Sequence, residues 1–338
     1  MLSSFLAYGD KDNRFKFGVG ALYVIKKRPR QVVNLEYKTD IEQLGQSPYA
    51  LTEDNLMTSI LRRNPNYKLT LVNELSGYYQ KEWFSGFSNT LNFNFKKIYP
   101  SDSIPFKRIS DGSKVDLVQS FSLTLNTRFL KDEKFVTGEF ERVSLGSKYP
   151  ELNFEITGSV KGILGSQYTY AKLHFNYYHK FNINPIGYSR LIIDAGKIFG
   201  TVPYPLLQLH EGNETYAFDR YAFNMMNYYE FASDQYSSLT YEHHFQGFFL
   251  NHLPLMRRLK WREVATGKFL IGSINNANKK VLEFPYGMSE VSEPYSEVGI
   301  GVENIFKVIR IDATWRLTHL DHPNIEKFGI RAGLQIIF

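Results

Sequence analysis

Phe328-Gly-Ile-Arg-Ala-Gly-Leu-Gln-Ile-Ile-Phe338 closes the chain, and every second side chain in it is apolar. Phe328, Ile330, Ala332, Leu334, Ile336 and Phe338 fall on one side of an extended backbone; Gly329, Arg331, Gly333, Gln335 and Ile337 fall on the other. A period of two marks a strand whose two faces meet different surroundings. The pattern repeats along the whole sequence. Leu91, Phe93 and Phe95 alternate with Asn92, Asn94 and Lys96, and Leu173, Phe175 and Tyr177 with Lys172, His174 and Asn176. Ile309, Ile311, Ala313, Trp315 and Leu317 alternate with Arg310, Asp312, Thr314 and Arg316.

Strand length decides what wets the apolar face. A sandwich strand averages about 5–6 residues, whereas several of these segments run to about 10–13, enough to cross a bilayer at a tilt. Outer-membrane β-barrels finish with such a strand, ending on an aromatic that the barrel assembly machinery reads during insertion. Phe338 is therefore the expected C-terminal barrel signal.

Composition agrees with this reading. Aromatics make up 16% and hydrophobic residues 43% of the 338, while the mean hydropathy is only −0.32. Strands that alternate apolar-out and polar-in average to a soluble value, while aromatic girdles raise Tyr, Phe and Trp. Trp83, Trp261 and Trp315 read as such girdle residues. No run approaches the roughly 18–20 apolar residues of a spanning helix. Cysteine is absent, which removes thiolate metal sites and thiol catalysis. The net charge of +6 is dispersed in small clusters such as Lys26-Lys27-Arg28 and Arg257-Arg258-Leu259-Lys260. These suit lipid headgroups or solvated turns, and nucleic acid is not expected as a partner. Met1-Leu-Ser-Ser-Phe-Leu6 shows no signal peptide, so the chain is expected to be the barrel part of a longer protein, short of one or two N-terminal strands.

About fourteen or fifteen strands are predicted, with short turns at Gly146–Pro150 and Asn182–Ile186. Two long interruptions stand out: residues 41–65, in which Leu51 to Arg63 could form a short helix or a folded loop, and residues 201–233. Long irregular stretches inside a compact unit are usually functional. No repeat or linker is visible, and one domain, residues 1–338, is expected.

The second half carries a resemblance. Tyr204-Pro-Leu-Leu-Gln-Leu-His210, Gly212-Asn-Glu-Thr-Tyr216, Phe218-Asp-Arg-Tyr-Ala-Phe-Asn-Met-Met-Asn-Tyr-Tyr-Glu-Phe231, Tyr241-Glu-His-His-Phe245 and Leu259-Lys-Trp-Arg-Glu263 resemble the C-terminal barrel of a Bacteroidetes-type outer-membrane family of unassigned function. Its full-length members carry an N-terminal carboxypeptidase-regulatory-like sandwich, for which this chain has no match. More distantly, the arrangement is similar to the surface-antigen barrels of the BamA and TamA type. That resemblance implies sixteen strands and a long connection folded into the lumen, where a Val-Arg-Gly-aromatic motif meets acidic groups on the wall. The candidate here is Asp219-Arg220-Tyr221, with Ala222 and Phe223 following and no glycine after the arginine.

A buried guanidinium needs a carboxylate, and its planar fork favours a bidentate one. By alternation Asp312, Glu297 and Glu242 face the lumen, so each is a candidate partner of Arg220. Catalysis has little support. Ser238 and His244 share a strand face but lie about 20 Å apart, no Gly-x-Ser-x-Gly elbow occurs, and Gly18-Val-Gly20 lacks a nucleotide fingerprint. Glu242, His243 and His244, or His319, Asp321 and His322, lack metal-ligand spacing.

The sequence therefore reads as an all-β, transmembrane antiparallel barrel of about 14–16 strands in an outer membrane, with its C-terminus periplasmic and loop 201–233 outside. No catalytic residue, metal or cofactor is expected. The expected partners are outer-membrane lipid, the assembly machinery during insertion and other envelope proteins. A non-enzymatic factor related to barrel assembly or translocation is the first functional reading. A passive or gated pore or surface receptor is the second, and a membrane-embedded hydrolase the third. Strand parity becomes ambiguous before residue 115, where a long connection would have to lie on the periplasmic side.

Overall fold

Alternation in the sequence becomes strand pairing along the length of the chain. The structure is a computed structural model and describes residues 1–9, 13–44, 68–138, 140 and 142–334. The first strands are β1 (Leu2–Gly9), β2 (Arg14–Lys27), β3 (Arg30–Glu42), β4 (Thr70–Phe84), β5 (Phe87–Ile98) and β6 (Val118–Leu130). A small hairpin, β7 (Lys134–Thr137) with β8 (Arg142–Gly146), stands outside the main sheet. Then come β9 (Glu151–Ser159), β10 (Tyr170–Asn182) and β11 (Tyr188–Gly200). The long connection that follows holds β12 (Gln208–Leu209) and β13 (Phe231–Ser233), and leads into β14 (Gln235–His244) and β15 (Arg262–Ser273). After β16 (Ser289–Glu290), the chain ends on β17 (Tyr295–Ile305), β18 (Ile309–Arg316) and β19 (Phe328–Leu334).

One antiparallel sheet of 14 strands takes these in chain order, β1-β2-β3-β4-β5-β6-β9-β10-β11-β14-β15-β17-β18-β19. Fourteen lies within the expected range, and the sixteen implied by resemblance is not reached among the described residues. No helix among those residues is long and apolar enough to cross a membrane. Leu51 to Arg63 and Phe338 lie outside the described residues.

The outer face is apolar along the rows of the ladder. Leu91 faces Leu125, Leu125 faces Ile156 and Ile156 faces Leu173 across successive strands, and all four side chains are exposed. Alternation turns the polar set inward. On β18, Arg310, Asp312, Thr314 and Arg316 are all buried, while Ile311 and Trp315 between them are exposed. Trp83 and Trp261 sit towards one end of the strands and Trp315 towards the other.

Four connections at one end are tight: residues 28–29, 85–86, 183–187 and 306–308. At this turn end Gly187 adopts φ +107, where any Cβ would strike the His244 carbonyl. The opposite, loop end carries the long connections 99–117, 201–234 and 274–294. Because every sheet neighbour is antiparallel and consecutive in the chain, strand parity holds from β1 onward. The long connection between β3 and β4 therefore starts and ends at the loop end, and the expected break in parity before residue 115 is corrected.

The apolar core is not within the sheet but under the loop end. Val72, Ile98 and Val118 on the wall meet Phe106, Tyr204, Leu206, Leu209, Tyr229 and Leu282 from the connections. A second cluster joins Phe223, Met226 and Phe231 to Leu270, Val291 and Tyr295. Met226, fully buried, serves as packing.

Candidate functional site: the lumenal connection and the seam

Most of the connection 201–234 is buried, so it lies inside the sheet's curve rather than over it. Its turns are self-made. The Asp219 carboxylate accepts the backbone N–H groups of Tyr221 and Ala222, which folds the tip. Asn213 binds Thr215, the Ala217 carbonyl and the Asn224 side chain, tying the two limbs together.

Wall side chains hold this connection chiefly by its backbone. Glu297 accepts the N–H groups of Asn224 and Met225 at 2.8 and 2.9 Å. Lys268 donates to the carbonyls of Asp219 and Ala222, Arg331 to that of Asn224, and Lys172 to that of Leu206. Lys268, Glu297 and Arg316 are cross-strand neighbours on β15, β17 and β18, so the register lines them up under the connection. A bidentate ion pair also joins wall to connection: Arg316 grips Glu230 with two hydrogen bonds.

Arg220 at the tip reaches Glu242 on β14, Nε to Oε1 at 3.5 Å. Glu242 is one of the three acids named for it. Arg310 takes Asp312 in a bidentate contact from two positions away on the same face. Glu297 accepts the Asn224 and Met225 backbone donors and the Tyr295 hydroxyl. Glu242 also receives Arg190 and Arg310, and His244 bridges it to Glu303. This buried network sits towards the turn end. It pairs the charges that alternation turned inward, without which each would be costly to bury. Tyr221 borders a polar cavity of about 750 Å³ left between the connection and the wall of β5, β6, β9, β10, β11, β14 and β15. His174 is held there between Glu155 and Asp194.

The connection also reaches the end of the sheet. Phe218 N–H donates to the Ala332 carbonyl, and Ala332 N–H donates to the Tyr216 carbonyl, both at 2.9 Å. Ala217 and Ala332 form a parallel bridge. Along β19, the N–H and C=O groups of neighbouring residues point to opposite edges. The pair of Arg316 with Lys327 aims the odd-numbered residues at β18, so Ala332 presents the outer edge. Among the described residues β1 and β19 share no ladder, and residues 216–218 occupy this edge instead.

Sequence reasoning missed three features: the Arg316–Glu230 clamp, the Ala332 contact, and a hydrogen bond between Ser189 and His243 at 2.7 Å. The alternation on β18 could have signalled Arg316, but nothing local marks Glu230 as its partner. The Ser189–His243 pair is not a catalytic arrangement of the usual kind. His243 turns its other nitrogen to the Ile186 carbonyl rather than to an acid, and Ser189 is fully buried. Among the described residues no group of three or more His, Cys, Asp or Glu could hold a metal ion.

A long antiparallel sheet, apolar outside and charged inside, with its own connection folded into it, defines the class of outer-membrane β-barrels. Within that class the chain belongs to the family described as "Family of unknown function (DUF5686) C-terminal domain", which matches residues 1–302. No curated protein matches it in sequence. Among solved structures, it is similar to BamA from Haemophilus ducreyi lacking POTRA domains 1-3, at TM-score 0.56 and 11% identity. That match covers 95% of this chain and 62% of that one, so the chain spans less than two thirds of that protein. LpxR from Salmonella typhimurium matches at TM-score 0.26 and 7% identity, covering 95% of this chain and 86% of that one. OccK11 (OpdR) from Pseudomonas aeruginosa matches at 0.28 and 9%, covering 98% and 90%.

Proposed function

We propose that residues 1–338 form a non-enzymatic outer-membrane barrel that acts on other envelope proteins through its seam and its lumenal connection, in the manner of assembly or translocation factors. The turn end and the C-terminus face the periplasm, and Arg220 against Glu242 steadies the tip of the connection. The contact of Tyr216 and Phe218 with Ala332 carries this reading. A strand edge held by a three-residue segment, rather than by a full ladder, is a ready template for another extended chain. A passive or gated pore or surface receptor is the second reading, and the burial of connection 201–234 inside the sheet speaks against a pore.

The test uses the absence of native cysteine. Ala217→Cys with Ala332→Cys is oxidised to lock the segment onto the edge, and the outer-membrane proteome is measured in cells that depend on this variant. Loss of particular envelope proteins in the locked state, reversed by reductant, supports the proposal. An unchanged proteome, together with ion conductance across planar bilayers insensitive to the lock, rejects it in favour of a pore.

A further inference from the structure

The largest connection at the turn end without acidic residues is 245–261, Phe-Gln-Gly-Phe-Phe-Leu-Asn-His-Leu-Pro-Leu-Met-Arg-Arg-Leu-Lys-Trp. It is an ordered element. Phe245 N–H donates to the Glu263 carbonyl, the Glu263 carboxylate receives Leu250 N–H, and Asn304 donates to the Lys260 carbonyl. The Phe249 ring meets Phe245 at a tilt and Phe248 edge to face, with centroids 5.2 and 5.1 Å apart. The short helix α1 (Pro254–Leu259) follows, with Leu255 and Leu259 one turn apart on one face.

Despite this order, the element leaves its apolar groups uncovered. Phe249, Leu253 and Leu255 are 56%, 53% and 64% exposed, and Phe248 and Leu259 are exposed beside them. It follows directly from β14 and leads into β15, whose outward side chains Leu239, Tyr241, Phe269 and Ile271 belong to the apolar outer face. The exposed Arg257, Arg258 and Lys260 are interleaved with these apolar groups.

The charge of the two ends points to one occupant. At the turn end the connection 131–150 is balanced in charge; the remaining connections carry Arg28, Arg257, Arg258, Lys260 and Lys307 and no acidic side chain. Leaving out 201–234, which lies inside the sheet's curve, the loop-end connections together carry a formal net charge of −1. An apolar element rimmed by cations, continuous with a lipid-facing belt, fits a surface with a greasy interior and anionic headgroups. We infer that residues 245–261 form an interfacial anchor that seats the turn end in a leaflet of anionic phospholipid. The inference needs only a barrel in a bilayer and is independent of any action on envelope proteins.

The full chain is refolded into vesicles of phosphatidylcholine alone or with phosphatidylglycerol. Trp83→Phe and Trp315→Phe leave Trp261 as the sole tryptophan reporter. Expected results are quenching of Trp261 by brominated lipid, protection from aqueous iodide, and retention of phosphatidylglycerol over phosphatidylcholine by the purified protein in native mass spectrometry. Arg257→Gln, Arg258→Gln and Lys260→Asn together reduce that preference about 100-fold, or about fivefold per cation. Asparagine is chosen because Lys260 sits at φ 57, which it tolerates. Arg257→Lys, Arg258→Lys and Lys260→Arg together keep the preference, which separates charge from any folding defect. Equal lipid preference in the neutralised variant, or free access of iodide to Trp261 in anionic vesicles, overturns the inference. Protection that depends on a co-purified protein rather than on lipid overturns it equally.

Discussion

Arg316 on the wall and Glu230 in the lumenal connection meet through two hydrogen bonds, Nη2 to Oε1 at 2.6 Å and Nη1 to Oε2 at 3.1 Å, with both side chains out of solvent. The remaining guanidinium capacity goes to the carbonyls of Met225, Thr318 and His319. Arg316→Met leaves the Glu230 carboxylate buried and largely uncompensated. His322 lies 3.1 Å from the same carboxylate, and burial, helped by the Arg316 charge, holds its pKa below the usual value. The expected loss is about 3–5 kcal/mol. It is read from thermal unfolding in detergent and from new protease cleavage within 201–234. Arg316→Met with Glu230→Leu should recover most of that loss, and a double variant as weak as the single one would refute the account.

Arg220→Ala should matter less. Its contact with Glu242 is long, at 3.5 Å, and Glu242 keeps Arg190 and Arg310. A cost of about 1 kcal/mol, near the range of weakly coupled pairs, is expected by thermal unfolding. A cost matching that of Arg316→Met would show that the tip, not the clamp, holds the connection.

Glu211 lines the cavity, and burial pushes its carboxyl up to about 7. The folded protein therefore holds this proton more tightly than the unfolded chain does. The resulting stability is complete below about pH 4.5 and is lost as pH rises through 7. Glu211→Gln should abolish this loss. The variant should gain on the order of 2 kcal/mol over wild type between about pH 5 and about pH 8, followed by unfolding at each pH. Burial holds His210 down to about 3, which gives the opposite trend: stability falls as pH drops from 6.5 towards 3. A parallel pH profile for wild type and Glu211→Gln would rule out the assignment.

Gly212 lies where a Cβ would come within 2.4 Å of the Asn227 carbonyl oxygen. Gly212→Ala must push the two limbs of the connection apart, at about 1–3 kcal/mol. Gly158, with open space around its Cβ position, is the control. Equal melting temperatures for the two variants would contradict this packing.

Much of the fold was legible because alternation is a local signal. The inward placement of Arg310, Asp312, Thr314 and Arg316, and of Glu242 and Glu297, follows from a period of two within single strands. The long connection was legible, as residues 201–233, by its interruption of that period. Glu230 was not, because an acid in a loop reads the same in water as against a buried arginine. The edge contact of Ala332 was equally silent, since it depends on backbone groups that every residue possesses.

The sequence by itself determined an all-β barrel with an apolar exterior and a charged interior, because side-chain direction along a strand is set within two residues. Only the tertiary structure decided which charge answers which, and that residues 216–218 lie along β19. Those pairings join positions up to 116 residues apart, Tyr216 to Ala332 being the case in point. Their partners are chosen by the curvature of the sheet and the depth to which the connection descends, neither of which any short stretch of sequence encodes.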